Sequence, residues 1–100
     1  MSRVIFSIRY QVFPERRQEY LDVVRELKNI IKTEGLESYS VFEQKNKPNN
    51  FEEIYLFKNE EAFENFDENQ DERIDILMTK LSDMIKEQTT QYTTSLEVNN

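Results

Sequence analysis

Three tyrosines on segments that read as strands, Tyr10, Tyr39 and Tyr55, are the side chains best suited to chemistry in this 100-residue chain. A phenol can orient a phenolic substrate by hydrogen bonding, or it can pass a proton. The sequence holds no histidine, cysteine or tryptophan. Histidine is the usual base near neutral pH and the commonest metal and haem ligand, and a thiolate is the usual nucleophile or zinc ligand. Proton transfer therefore falls to carboxylate, tyrosine, lysine or water. Tight haem binding is not expected, since only a tyrosine could serve as axial ligand. The competing reading makes the three tyrosines core rings whose hydroxyls reach water or backbone. A small core routinely uses such rings, and that reading weighs more.

Two further patterns invite a chemical reading. Residues 67–78, DENQDERIDILM, place Asp67, Asn69, Asp71 and Asp75 at positions 1, 3, 5 and 9 of a calcium loop. Position 6 is Glu72 where the sharp turn needs glycine, and position 12 is Met78 where a bidentate glutamate belongs. The segment reads as an acidic, solvated helix face, and no metal site is expected. Phe6, Phe57, Phe63 and Phe66 could wall a dry aromatic pocket, but plain packing explains them as well. Arg9, mid-strand, could bind an anion. A pairing with Glu43, Glu52 or Glu97 at a dimer face accounts for it better, because a buried charge demands a partner.

These residues must be positioned by short elements. RVIFSIRYQVF, residues 3–13, is rich in β-branched and aromatic types and reads as a strand. Its Val4, Phe6, Ile8, Tyr10 and Val12 face is wholly apolar, and its Ile5, Ser7, Arg9, Gln11 and Phe13 face is mixed. Pro14 suits a first helical turn. The helix after it carries Tyr20, Val23, Val24, Leu27, Ile30 and Ile31 in one stripe and is expected to run to about Glu34. Gly35, the only glycine, then turns the chain into the strand ESYSVFEQ. Lys47-Pro48-Asn49-Asn50 is turn chemistry before a third strand, FEEIYLF. Asn59 caps a short helix, in which Ala62 is expected to be buried and to let the helix approach the sheet. After a break near Asn69 a longer helix carries Ile74, Leu77, Met78, Leu81, Met84 and Ile85. TTQYTTSLEV closes the chain as a strand.

The order β-α-β-β-α-β predicts one α+β domain over 1–100, ferredoxin-like, with an antiparallel sheet and both helices on one face. The other face keeps Ile5, Phe13, Phe42, Ile54 and Leu56, more apolar surface than a sheet leaves to water, so a homodimer is expected. The N-terminus turns polar too soon for a leader or a membrane span, which predicts a cytoplasmic protein without membrane contact. Net charge is −7. Residues 1–50 hold nine basic and seven acidic side chains, whereas residues 51–100 hold four and thirteen. That acidic half repels phosphate, so no nucleic-acid partner is expected.

PERRQEYLDVV, TEGLESYSVFEQ and NNFEEIYLFKNEEAFENF together resemble the antibiotic biosynthesis monooxygenase-like family of dimeric α+β barrels, over nearly the whole chain. The resemblance implies that two subunits pack their sheets into a barrel, each with a pocket between sheet and helices. Cofactor-free members oxidise aromatic quinol-like substrates with molecular oxygen, and others degrade haem. Family pockets often use an asparagine on the first strand, a tryptophan ending the third and a histidine on the short helix. Those positions fall at Ile8 (give or take one residue), Phe57 and near Phe66, all apolar here. The resemblance thus implies a cofactor-independent monooxygenase acting on a small aromatic or lipophilic substrate. Tyr10 and Tyr55 would supply polar contacts and Phe57 and Phe66 the walls, with Ile8 and Tyr39 also among the ligand-binding residues. The alternative is a non-catalytic dimeric module that binds a small apolar ligand or none.

Overall fold

Alternation along the strands decides which side chains meet the helices, and the ladder register shows the result. The computed structural model describes residues 2–66 and 71–98. Among these the chain runs β1 (Val4–Gln11), a single 3-10 turn (Pro14–Arg16), α1 (Arg17–Ile30), β2 (Leu36–Glu43), β3 (Asn50–Phe57), α2 (Glu60–Glu64), α3 (Glu72–Asp83) and β4 (Gln91–Leu96). The strands pair antiparallel in the order β2-β3-β1-β4. This is the ferredoxin-like α+β arrangement that the element order predicts.

In the β1–β3 ladder Val4 lies opposite Phe57, Phe6 opposite Tyr55, Ile8 opposite Glu53 and Tyr10 opposite Phe51. These pairs share one face, because side chains directly opposite in a ladder project the same way. Tyr20, Val23, Val24 and Leu27 of α1 and Leu77 and Leu81 of α3 close over it as the core. On the other face Ile5 and Phe42 stay exposed, and Ile54 and Leu56 are half-buried. Arg9 lies there too, but its partner is Glu52, opposite it on β3 of its own chain at 3.1 Å. Arg9 is more than half exposed, so it is a solvated cross-strand pair and needs no partner from a second subunit.

Two boundaries differ from the sequence expectation. Helix α1 stops at Ile30 rather than near Glu34, since Ile31 turns extended (φ −74°, ψ 97°) and buries its side chain. Adjacent β-branched residues hold the helix weakly, and burying Ile31 outweighs one more turn. Strand β1 leaves its ladder after Gln11. Val12 bridges Ile85, and the Phe13 amide donates to the Met84 carbonyl, so the chain is led off the sheet before Pro14.

The expected cap at Asn59 is in place, and α3 has one at Asp71 that the sequence reading did not single out. Asn59 accepts from the Ala62 amide at 2.8 Å, and Asp71 accepts from the Arg73 amide at 2.7 Å. Residues 67–70 of the calcium-like segment, and the break near Asn69, lie outside the described residues. Gly35 adopts φ +86°, the left-handed region expected of it. Ala62 is half-buried rather than buried. Its neighbour is Gly35, where an added Cβ would sit 2.5 Å from the Ala62 Cβ. The small side chain thus lets α2 approach the α1–β2 turn, a different neighbour from the one expected. Among the described residues no helix is long and apolar enough to cross a membrane.

Candidate functional site

Strand β3 reads Asn-Phe-Glu-Glu-Ile-Tyr-Leu-Phe, and its pleat sends Phe51, Glu53, Tyr55 and Phe57 toward the helices. A carboxylate therefore enters the core: Glu53 is 2% exposed. Leaving such a group without hydrogen bonds would cost several kcal/mol. The fold supplies donors from three other elements. The Tyr10 hydroxyl of β1 donates to Glu53 Oε2 at 2.8 Å, and the Tyr39 hydroxyl of β2 donates to Oε1 at 2.7 Å. The Tyr20 hydroxyl of α1 lies 2.7 Å from that of Tyr10. A phenol carries one proton, and the proton of Tyr10 goes to Glu53, so Tyr20 donates to Tyr10. All three hydroxyls are polarised toward one carboxylate.

Burial, and then the charge of Glu53, push the hydroxyls of Tyr10 and Tyr39 far above the ordinary phenol range. Burial raises that of Tyr20 as well, partly offset by its hydrogen bond with Tyr10. A raised phenol keeps its proton throughout the neutral range. The three tyrosines are therefore hydrogen-bond donors here, and none is a base.

The cluster opens into a cavity of about 310 Å³ between the sheet and α3. Ile8, Tyr10 and Glu53 form the sheet side. Met78, Leu81 and Ile85 close it from α3 and the residues after it, and Tyr92 from β4. Lys86 and Glu87 line it as well, Glu87 being exposed. The volume lies at the small end of the range for ligand pockets, and the lining is mixed, with Ser82, Gln88 and Thr90 adding further polar groups.

Of the residues singled out in the sequence, Ile8 and Tyr10 line this cavity, and Tyr39 holds Glu53 from the far side. Tyr55 and Phe57 do not line it. Both are completely buried in a cluster of rings. Phe57 meets Phe66 at 5.2 Å between centroids and Phe63 at 5.6 Å, and Tyr55 meets Phe66 at 5.4 Å and Phe6 at 5.9 Å. Phe66 borders a separate surface cleft of about 420 Å³ with Thr33, Glu34, Lys58, Asn59 and Ala62. Packing thus accounts for Phe57, and the cavity lies toward the other end of the strands, beneath α3. The hydroxyls of Tyr10 and Tyr39 reach a carboxylate rather than water or backbone.

Sequence reasoning passed over Glu53 and Tyr20 as site residues, along with Met78, Leu81, Ile85 and Tyr92. A signal for Glu53 was present: of the two adjacent glutamates in FEEIYLF, it shares parity with Phe51, Tyr55 and Phe57. Tyr20 carried no such signal, since it reads as one more apolar position in the stripe of α1.

An antiparallel ferredoxin-like sheet with a cavity between it and its helices defines a fold class and not a chemistry. The antibiotic biosynthesis monooxygenase family matches residues 3–71, and the chain belongs to that family. The match includes Tyr10, Tyr20, Tyr39 and Glu53, while the α3 and β4 wall of the cavity lies beyond it. A conserved protein from Methanosarcina mazei Go1 is 20% identical with TM-score 0.78, over 95% of this chain and 92% of that one. SnoaB, a cofactor-independent oxygenase from Streptomyces nogalater, is 15% identical with TM-score 0.76, over 100% and 97%. A structure described as an antibiotic biosynthesis monooxygenase is 16% identical with TM-score 0.72, over 97% and 98%. At these identities the likeness is one of fold. No curated protein matches the sequence.

Proposed function

We propose that this protein is a cofactor-independent, monooxygenase-like enzyme that binds a small aromatic or lipophilic substrate in the cavity between the sheet and α3. The observation that carries this reading is the hydrogen-bonded Tyr10–Glu53 pair in the lining of a cavity whose apolar part is Ile8, Met78, Leu81, Ile85 and Tyr92. Family membership supports an oxygenase-like role. An electron-rich aromatic anion can react with oxygen by itself, so the protein's part is to bind, desolvate and orient it. The apolar part of the lining supplies the desolvation and the buried polar pair the orientation. Titration with a naphthohydroquinone under anaerobic conditions, followed by oxygen admission, tests the reading. Saturable binding followed by oxygen uptake is expected. Ile8→Trp, which fills the cavity, should weaken binding at least tenfold. Undiminished binding in that variant places the ligand elsewhere.

The second reading is a dimeric module that binds a ligand without turning it over. Ile8, Phe57 and Phe66 favour it, because they stand where the resemblance implies asparagine, tryptophan and histidine. Saturable binding without oxygen uptake would select this reading. In both readings the functional unit is a homodimer formed through the outer sheet face, where Ile5 and Phe42 are exposed at 42% and 55%. An interface of about 2,000 Å² or more in total is expected. Sedimentation at micromolar concentration should give a dimer of the 12.1 kDa chain, and a monomer alone would refute it.

A further inference from the structure

We infer that Glu53 is the catalytic base of this site, taking the hydroxyl proton of a phenol or hydroquinone bound in the cavity. The inference rests on the reading of the cavity as the substrate site, and it narrows the substrate to aromatics with an ionisable hydroxyl.

A catalytic base requires a lone pair, access to the substrate and an environment that holds it ready. Glu53 is almost wholly buried yet belongs to the cavity lining, so it is screened from bulk water while adjoining the space a substrate would occupy. The other groups around it do not meet the requirement. Tyr10, Tyr20 and Tyr39 retain their protons because burial raises them. Lys86 is cationic, and Glu87 is exposed on the turn after α3.

The step moves a charge without creating one. The substrate O–H bond breaks, an O–H bond forms on Glu53, and the electron pair stays on the substrate oxygen as a phenolate. One negative charge is buried before and one after. The Tyr10 hydroxyl donates to Glu53 and its residue belongs to the cavity lining, so in this step it turns from the neutralised carboxyl to the new phenolate. Lys86, on the same cavity, favours that anion. Tyr39 bonds the other carboxylate oxygen from β2 and is absent from the cavity lining, so it is a positioning residue.

The test uses dinitrophenol, a phenol already ionised at neutral pH, with the purified full chain. Two anions in contact cannot both stay charged in such a site, so they share a proton. Calorimetry in buffers of different ionisation enthalpy should show uptake of about one proton per dinitrophenolate bound to the wild-type protein. In Glu53→Gln uptake should vanish, anion binding should persist or tighten, and hydroquinone turnover should fall by about 10²–10⁴-fold. Equal proton uptake in both proteins overturns the role of Glu53 and leaves the cavity reading intact. Failure of the wild-type protein to bind any phenol overturns both.

Should Glu53→Gln fail to fold, Tyr39→Phe carries the test. Removing a donor to the ionised carboxylate disfavours that form, so proton uptake should begin to fade at a higher pH than in the wild-type protein. An unchanged pH profile overturns the proposal, because a merely structural Tyr39 would alter stability and not this profile.

Discussion

Truncating Phe57 to alanine will cost about 3–5 kcal/mol of folding free energy, as loss of a completely buried aromatic ring does. Phe57 ends β3 with no exposed surface, and its ring lies within 5.2 Å of Phe66 and 5.6 Å of Phe63 between centroids. Removing it takes dispersion contacts from both neighbours and leaves a void that β3, held between β1 and β2, cannot collapse to fill. Phe66 is only half-buried and borders a surface cleft. Its truncation opens onto solvent, and a smaller cost of about 1–3 kcal/mol is expected. Thermal and denaturant unfolding of the two variants checks the order as well as the size. A cost at Phe57 below that at Phe66 would mean that Phe57 borders open space. The result bears on function, because it separates the ring cluster as structure from the cavity beneath α3 as site. Phenol binding should survive the Phe66 truncation.

Gly35→Ala is expected to destabilise by about 2–4 kcal/mol, from two causes that can be separated. One is the backbone: at φ +86° an L side chain is strained by about 1–2 kcal/mol. The other is overlap, because the new Cβ would fall 2.5 Å from the Ala62 Cβ. Helix α2 must then shift off the α1–β2 turn, although the Lys58 amide donates to the Gly35 carbonyl at 2.8 Å and ties the two together. Overpacking of this kind costs about 1–3 kcal/mol. Ala62→Gly, harmful alone by about 1 kcal/mol as a glycine in a helix, should recover the overlap part in the double variant. A double-mutant cycle should therefore give a favourable coupling of about 1–2 kcal/mol. Strict additivity would show that the two residues do not meet.

The sequence by itself determined the features whose causes are local. Pleat parity assigned Val4, Phe6, Ile8 and Tyr10 to one face of β1, since successive side chains of a strand must alternate. Pro14, Gly35, Asn59 and the Lys47–Asn50 turn marked boundaries, since each follows from the backbone angles or side-chain acceptor of a residue or two. Element order then implied the ferredoxin-like topology, because few ways of connecting such elements bury both helix stripes. The end of α1 was legible only to within a turn, since the choice at Ile31 is made by the core it enters.

The site needed the tertiary structure. Parity could place Glu53 on the helix side of β3, but it could not say what meets it there. Tyr39 is brought to one carboxylate oxygen across the β2–β3 ladder and Tyr10 to the other across the β1–β3 ladder, 43 residues away in sequence. Tyr20 reaches Tyr10 only because α1 packs on that stretch of sheet. The same holds for depth: Phe57 and Ile8 look alike as apolar strand residues, yet one is sealed by Phe63 and Phe66 and the other faces a cavity. Periodicity reports which way a side chain points. Whether it meets a ring, a carboxylate or empty space depends on how far the elements opposite reach, and that is decided only when distant segments pack together.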